Sequence, residues 1–421
     1  MPTPQTIYTV VLIIIFLLLI LMLKNRFYGL IVYMCVFITM IGLHFQFLGN
    51  IRFELIVALI VLIIILVSPE SRNLLSLKRS SISRNLFIFF LVVILSMAQS
   101  LDFQTAFDRT WEFAKIYALY LMIVALVNSD RDLKIFLWSF VILMALVGYE
   151  PIYNFLHGIT MDRGLAEYAV AEKGRGSGHV ALGIYLIQGL CYLWYLTISK
   201  KNLKQIMISL FLICVFITGI LVSGSRGALV GLVSTILIIS YFSKNKLLYL
   251  IVGSLMIIVA LSFMSSGYLS YMNTILDFGQ SDVSAQSRFI GLRNGIDMLI
   301  KRPILGVGPG CYPIARKLWF GWGLWAHNIY GELAGDLGIL GILAWGNFMY
   351  SYLKKGFDMR RSFSNDSLYY FIIMAVIVSN IVCLILGFFA HMLYGYFWYL
   401  SAAVVVVIEN LLKKKDSKIH I

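Results

Sequence analysis

The sequence predicts an all-α polytopic membrane protein with about 12–13 transmembrane helices. Three observations predict it. The 421 residues are 60% hydrophobic and 13% charged, with a mean hydropathy of +0.89, which is more apolar surface than a water-soluble core can hide. Apolar runs of about 20 residues, enough for ~30 Å of hydrocarbon, recur from end to end. Lysines and arginines gather in short loops at every second turn between those runs, the pattern that fixes which loops stay in the cytoplasm.

Taken in order, the predicted spans are roughly 7–23, 28–47, 53–67, 85–98, 111–127, 135–156, 180–198, 206–222, 227–242, 248–265, 337–353, 368–388 and 396–411. The first, "YTVVLIIIFLLLILML", has no basic region before it and no small-residue cleavage site after it. It therefore reads as a retained span and not as a signal peptide. Basic loops follow every odd span: "KNR" (24–26), "SRNLLSLKRSSISR" (71–84), "RDLK" (131–134), "KKNLK" (200–204), "KNK" (244–246), "KKGFDMRR" (354–361) and "KKKDSK" (413–418). They hold 21 of the 34 Lys and Arg, so most of the +14 net charge is a topology signal and not a nucleic-acid surface. The even loops are then expected outside, and thirteen spans put the amino terminus outside as well. With no internal repeat in the series, 1–421 reads as one membrane domain. The five cysteines (Cys35, Cys191, Cys214, Cys311, Cys383) are scattered, without metal-ligand spacing and without the pattern of a disulfide framework.

Two outward loops exceed what a connection needs, 158–179 and 266–336, and long loops of this kind usually carry function. Within the second, 281–301 has Phe289, Leu292, Ile296 and Leu299 at the spacing of one helical face, with Pro303 after its end. It predicts an amphipathic helix on or near the outer membrane surface. "PILGVGPGCYP" (303–313) reads as a turn region: no strand precedes its glycines, as one would in a phosphate-binding loop. Trp319, Trp322 and Trp325 suit the water–lipid boundary.

The out-of-place polar residues crowd this outer face. Arg175 lies in "KGRGSGH", Arg226 in "VSGSRGAL", Arg288 and Arg293 on the loop helix, and His327 and Asn328 at the end of the long loop. An arginine at the edge of hydrocarbon needs an anionic partner. Asp162, Glu172, Asp282, Glu332 or Asp336 would supply one as structural ion pairs; a bound phosphate or diphosphate is the functional alternative, since guanidinium meets phosphate oxygens in pairs. Ser225 and its small neighbours would let such a ligand approach the backbone. His327 is placed to accept a proton near neutral pH. Asn328 either helps hold a substrate or caps the helix that follows, with Glu332 a turn later suiting the helix dipole. His179 is a second outward histidine, whereas His44, His157 and His391 fall near span ends, where interfacial solvation suffices. No residue pattern calls for a metal or another cofactor.

"HN", nine residues and "GILG" (327–341) match the H[NSQ]-x9-G-x-x-G signature of the O-antigen ligase family. "SGSRGALVGL" (223–232), "SRFIGLRNGIDMLIKRPILGVGPGCY" (287–312) and "GRGSGH" (174–179) resemble further segments of the same superfamily, which includes O-antigen polymerases and protein O-oligosaccharyltransferases. The resemblance spans about 160–345. It implies a GT-C-type, metal-independent, inverting glycosyltransferase of the bacterial inner membrane, with a large helical loop and its active site facing the periplasm. The donor would be a glycan on undecaprenyl diphosphate, and the acceptor lipid A–core or another glycan. Carried over by motif, His327 becomes the catalytic base, Arg226 and Arg288 the diphosphate-binding residues, and Arg175 a third, with Asn328, Arg293 and Ser225 in support. Two departures stand out. The Pro-Asn pair that many members carry in the loop before "SGSRG" is missing here, and a thirteenth span exceeds the usual twelve.

Three functions compete on this reading: ligation of lipid-linked O-antigen to lipid A–core, polymerisation of lipid-linked repeat units, and transport of an anion or lipid. Transport would need ionisable residues near the midplane of the spans, where the sequence shows little beyond isolated residues such as Glu150.

Overall fold

The computed structural model describes residues 1–67, 80–161, 165–166, 179–199, 202–262 and 283–419. Each predicted span falls on a helix, except that 28–47 is broken at Met40 (φ 49°) and continues as two short helices: α1 (Pro4–Met22), α2 (Phe27–Thr39), α5 (Phe53–Leu66), α6 (Ser81–Ala98), α7 (Phe103–Leu126), α8 (Asp130–Leu156) and α9 (His179–Ile198) in the first part of the chain. The series continues with α10 (Leu203–Val222), α11 (Arg226–Phe242), α12 (Lys246–Ser262), α15 (Ile329–Ser362), α16 (Leu368–Leu386) and α17 (Tyr396–Ile419). Among the described residues eight of these, α1, α6, α8, α9, α10, α15, α16 and α17, are long and apolar enough to cross a membrane. The shorter α2, α5, α11 and α12 are apolar throughout, and α7 is long but carries Asp108, Arg109, Glu112 and Lys115. The protein is an all-α polytopic membrane protein. The other elements are α3 (Ile41–His44), α4 (Gln46–Asn50), the loop helices α13 (Val283–Lys301) and α14 (Tyr312–Phe320), and a minimal antiparallel pair, β1 (Thr160–Met161) with β2 (Leu165–Ala166).

The loops sort to two ends, as the alternating charge predicts. At one end Lys415 Nζ lies 2.8 Å from Asp130 Oδ2 and 2.9 Å from the Tyr369 hydroxyl, and Lys355 lies 3.2 Å from Glu409. This joins the starts of α8 and α16 to the ends of α15 and α17, all beside basic loops. At the other end the α6–α7 turn, the 303–312 loop, the start of α15 and the 387–395 loop meet through Leu101 N to Val307 O (2.9 Å), Ile329 N to Gly387 O (2.7 Å) and Leu393 N to Glu332 Oε2 (3.0 Å).

One feature of α15 is absent from the predicted pattern. The helix starts at Ile329, inside what reads as loop, and breaks at Gly338 (φ 62°, ψ −160°), a conformation that side chains with a Cβ avoid. A break leaves amides and carbonyls without their i±4 partners, and the 303–308 segment supplies them. Ile339 N and Leu340 N donate to the carbonyls of Pro303 (2.9 Å) and Ile304 (3.2 Å), while the carbonyls of Gly335 and Asp336 accept from Val307 N (2.9 Å) and Gly308 N (3.0 Å). The first glycine of "GILG" is thus a joint between a nine-residue half-helix and the long apolar span.

The amphipathic loop helix exists as α13, but its predicted apolar stripe is only partly covered: Phe289 is 75% and Ile296 46% exposed, while Leu292 and Leu299 are half-buried. The face packed on α15 is instead Gly291, Asn294, Gly295 and Met298. Backbone meets backbone there. A Cβ on Gly291 would lie 1.9 Å from the Ala326 carbonyl oxygen, and one on Gly295 2.4 Å from that of Gly331.

Candidate active site

His327 sits just before α15, half-buried, in the left-handed region (φ 51°). That backbone is uncommon for a residue with a side chain and is concentrated at functional sites. Its neighbour Asn328 is buried and caps the helix: Oδ1 accepts from Gly331 N at 2.5 Å. The capping alternative for Asn328 is therefore correct, and the same side chain has a second task. Its Nδ2 donates to the Arg288 carbonyl at 2.8 Å, so the residue after His327 holds the turn of α13 that carries Arg288.

Around the imidazole the field is positive. Burial first, then the Arg288 and Arg316 guanidinium groups, hold the His327 pKa below its ordinary 6.5. Each disfavours imidazolium and favours the neutral ring, the form that can accept a proton. His391, from the 387–395 loop, stands edge-on to it at 5.4 Å between centroids and stacks on Trp325 at 4.8 Å. Burial, with His327 and Arg109 nearby, lowers the His391 pKa to about 3. Trp325, expected at the lipid boundary, is packed into this cluster instead, with the Arg109 guanidinium 5.0 Å from its ring. Trp322 is 70% exposed.

Arg226 enters from α11. Ser225, buried, is the N-cap of that helix, its Oγ accepting from Ala228 N at 3.1 Å, which makes Arg226 the first helical residue. A Cβ on Gly227 would lie 2.9 Å from Phe389 Cβ, so the start of α11 abuts Phe389 directly. The Arg288 guanidinium lies 5.1 Å from the ring of the same Phe389. One phenylalanine thus links the segments bearing Arg226 and Arg288. Arg293, a turn further along α13, is exposed. Arg175 lies outside the described residues, as do Asp162, Glu172 and Asp282.

The two described acidic candidates answer the ion-pair alternative. Glu332 and Asp336 are buried in the first half of α15, and the arginine whose charge acts on both is Arg109 of α7. Asp336 also explains the glycine-rich loop. Its carboxylate accepts from Gly310 N (2.7 Å) and Tyr312 N (2.9 Å). The remaining amides of 306–312 are taken up too: Gly306 N by the Arg302 carbonyl (3.2 Å) and Cys311 N by that of Gly308 (3.0 Å), beside the two that bind the α15 joint. "GVGPG" is a turn wrapped around an internal carboxylate.

Arg109, Arg316 and His391 are the members that the sequence pattern did not single out. Arg316, 4% exposed, gives Nη1 to the Leu324 (3.4 Å) and Trp325 (3.0 Å) carbonyls and so braces the irregular segment leading to His327. Among the described residues no group of three or more His, Cys, Asp or Glu is placed to hold a metal ion.

Residues 210–346, about a third of the chain, match the family model described as O-antigen ligase. The segment contains Arg226, Arg288, His327, Asn328 and the Gly338 joint, and bears out the family resemblance. No curated protein matches the chain.

Proposed function

With that match as premise, which indicates an O-antigen ligase-type glycosyltransferase acting on lipid-linked glycans, we propose that the protein transfers a glycan from undecaprenyl diphosphate to an acceptor hydroxyl at the periplasmic face of the inner membrane. Ligation to lipid A–core is the preferred form. His327 takes the proton of the acceptor hydroxyl as its oxygen bonds to the anomeric carbon. The bond from that carbon to the diphosphate breaks on the opposite face, and the configuration inverts. Arg226, Arg288 and Arg175 hold the diphosphate and offset the charge that grows on it, the larger electrostatic part of the work. No metal takes part. The observation that carries the reading is the coupling of His327 to Arg288: a neutral imidazole in the field of a guanidinium, with Asn328 tying their segments together.

Positioned base catalysis contributes roughly 10²–10⁴-fold in rate, so His327→Ala should lose transfer by at least the lower figure while the protein accumulates normally. In cells lacking the chromosomal copy, near-normal surface glycan from that variant would refute the assignment. Arg288→Lys should also lose activity, because a point charge does not replace a bidentate fork. The cell's surface glycan separates the two acceptor classes: deletion removes all attached glycan if the protein is a ligase, and leaves a single attached repeat if it is a polymerase.

A further inference from the structure

A cleft of about 680 Å³, lined by apolar as well as ionisable side chains, opens on the side of α7 away from His327, between α7 and the α2–α5 segment. Its volume is that of a small-molecule site. The lining is unusual for a membrane helix bundle: Asp108, Glu112 and Lys115 of α7 face Arg52 and Glu54 at the start of α5. Ionisable groups in apolar spans are costly and usually face water or a ligand. Here they occupy one helical stripe, completed by Gln104, whose Nε2 donates to Asp108 Oδ1 at 3.0 Å, and by the Lys115–Glu112 ion pair. Two aromatic rings a turn apart, Phe107 and Trp111, share the stripe and are 45% and 44% exposed.

Two further observations mark the cleft. Among the described residues only three non-glycine residues have a left-handed backbone: His327, and Met40 and Arg52, which both line this cleft. Strain of that kind persists where the surrounding structure imposes it and clusters at ligand sites. The cleft also lies at the His327 end of the bundle. Arg109, adjacent to Asp108 on α7, reaches Trp325 and Tyr394 at 5.0 and 5.6 Å, so cleft and candidate site are separated by about one helix width, ~10 Å.

We infer that this cleft binds the glycan of the acceptor, holding it across α7 from His327. Its near-balanced charge, three carboxylates against one Arg and one Lys, does not suit a diphosphate. It suits a ligand rich in neutral hydroxyls, which both donate to carboxylates and accept from cationic groups, with an exposed indole as a flat platform for a sugar ring. Exposed Phe47 and Phe103, near the lining residues in sequence, place apolar surface at its edge, as a membrane-anchored acceptor requires. The inference rests on the proposed transfer reaction, but binding tests it separately.

The probe is the water-soluble oligosaccharide released by mild acid from the producing cell's own envelope glycan. It is titrated into the full-length protein in detergent and read by saturation-transfer NMR. Wild type and His327→Ala should bind it equally, Trp111→Ala and Glu112→Gln at least tenfold more weakly, and Trp111→Phe close to wild type, which guards against loss of fold. In transfer assays Trp111→Ala should raise the acceptor KM about tenfold and leave the donor KM unchanged. Binding without transfer by wild type would sink the reaction and spare the cleft. Absence of binding, equal binding by Trp111→Ala and Glu112→Gln, or displacement of the glycan by phosphatidylethanolamine in nanodiscs would overturn the inference.

Discussion

Gly291→Ala tests whether the α13–α15 contact sets the geometry between Arg288 and His327. The added Cβ would sit 1.9 Å from the Ala326 oxygen, 2.8 Å from its carbonyl carbon and 3.0 Å from its Cα. Carbon and oxygen approach no closer than about 3.3 Å even in favourable C–H···O contacts, so α13 must withdraw by roughly 1.4 Å there. Gly291 lies three residues after Arg288, on the same face of α13, and Ala326 directly precedes His327. The displacement therefore enters between guanidinium and imidazole. A misplacement of about 1 Å costs on the order of 10²-fold in rate, and overpacking costs about 1–3 kcal/mol in stability. The expected result is a protein that still folds, melts somewhat lower, and transfers glycan about 100-fold more slowly from purified lipid-linked donor in detergent. Gly346→Ala is the control, because a Cβ there meets nothing within 4 Å and a helical alanine gains roughly 0.5–1 kcal/mol. Wild-type transfer by Gly291→Ala would show that the reaction does not depend on how α13 seats against the segment carrying His327.

Four further outcomes follow from the site. Asn328→Ala removes the α15 cap and the bond to the Arg288 carbonyl, worth about 1 kcal/mol each. Thermal unfolding in detergent should record a loss near 2 kcal/mol, and an unchanged melt would mean that neither bond forms. His327 and His391 both have folded pKa values below 6.5, so between those values the unfolded chain binds more protons. Stability is complete above about pH 6.5 and drains as pH falls through that window; His391→Gln should flatten the loss in melts from pH 8 to 4, and a slope as steep as wild type would count against the assignment. Arg288→Gln should move the acid limb of any residual transfer to higher pH, since a depressing charge is gone. Asp336→Asn keeps one acceptor for two amides and leaves a buried N–H unpaired, a cost of about 1–3 kcal/mol, readable as a lower melting temperature; no change would remove Asp336 from the centre of the glycine loop.

The helices were legible because a bilayer imposes a long, simple pattern, and the described contacts join the starts of α8 and α16 to the ends of α15 and α17 beside basic loops. His327, Asn328 and Arg288 were legible because polar residues stand out against that background. The parts that were not legible depend on contacts distant in sequence. Arg109 sits among acidic neighbours in "FDRTWEFAK" and reads as one charge of a solvated face, yet its partners are Glu332, Asp336 and Trp325, more than 200 residues away. His391 follows a span end, where a histidine is unremarkable until a loop folds it over Trp325. Gly338 lies inside an apolar run, and the break there is compensated by backbone bonds to the 303–308 segment, distant in sequence.

The glycine-rich loop carries the argument about charge one step further. A loop of this composition at a membrane surface invites a phosphate, because closely spaced amides make an anion cradle. Every amide from Gly306 to Tyr312, Pro309 having none, is already paired, two of them with Asp336. An anion bound beside His327 therefore has to be held by side chains and not by this backbone. Side-chain capture by guanidinium is bidentate, directional and insensitive to pH, whereas the neighbouring imidazole is the group whose charge responds to it. A phosphorylated ligand that covers Arg288 cancels one of the two positive charges depressing the His327 pKa. On the proposed reaction, binding of a diphosphate donor would thereby raise the basicity of the histidine as the acceptor proton has to be taken.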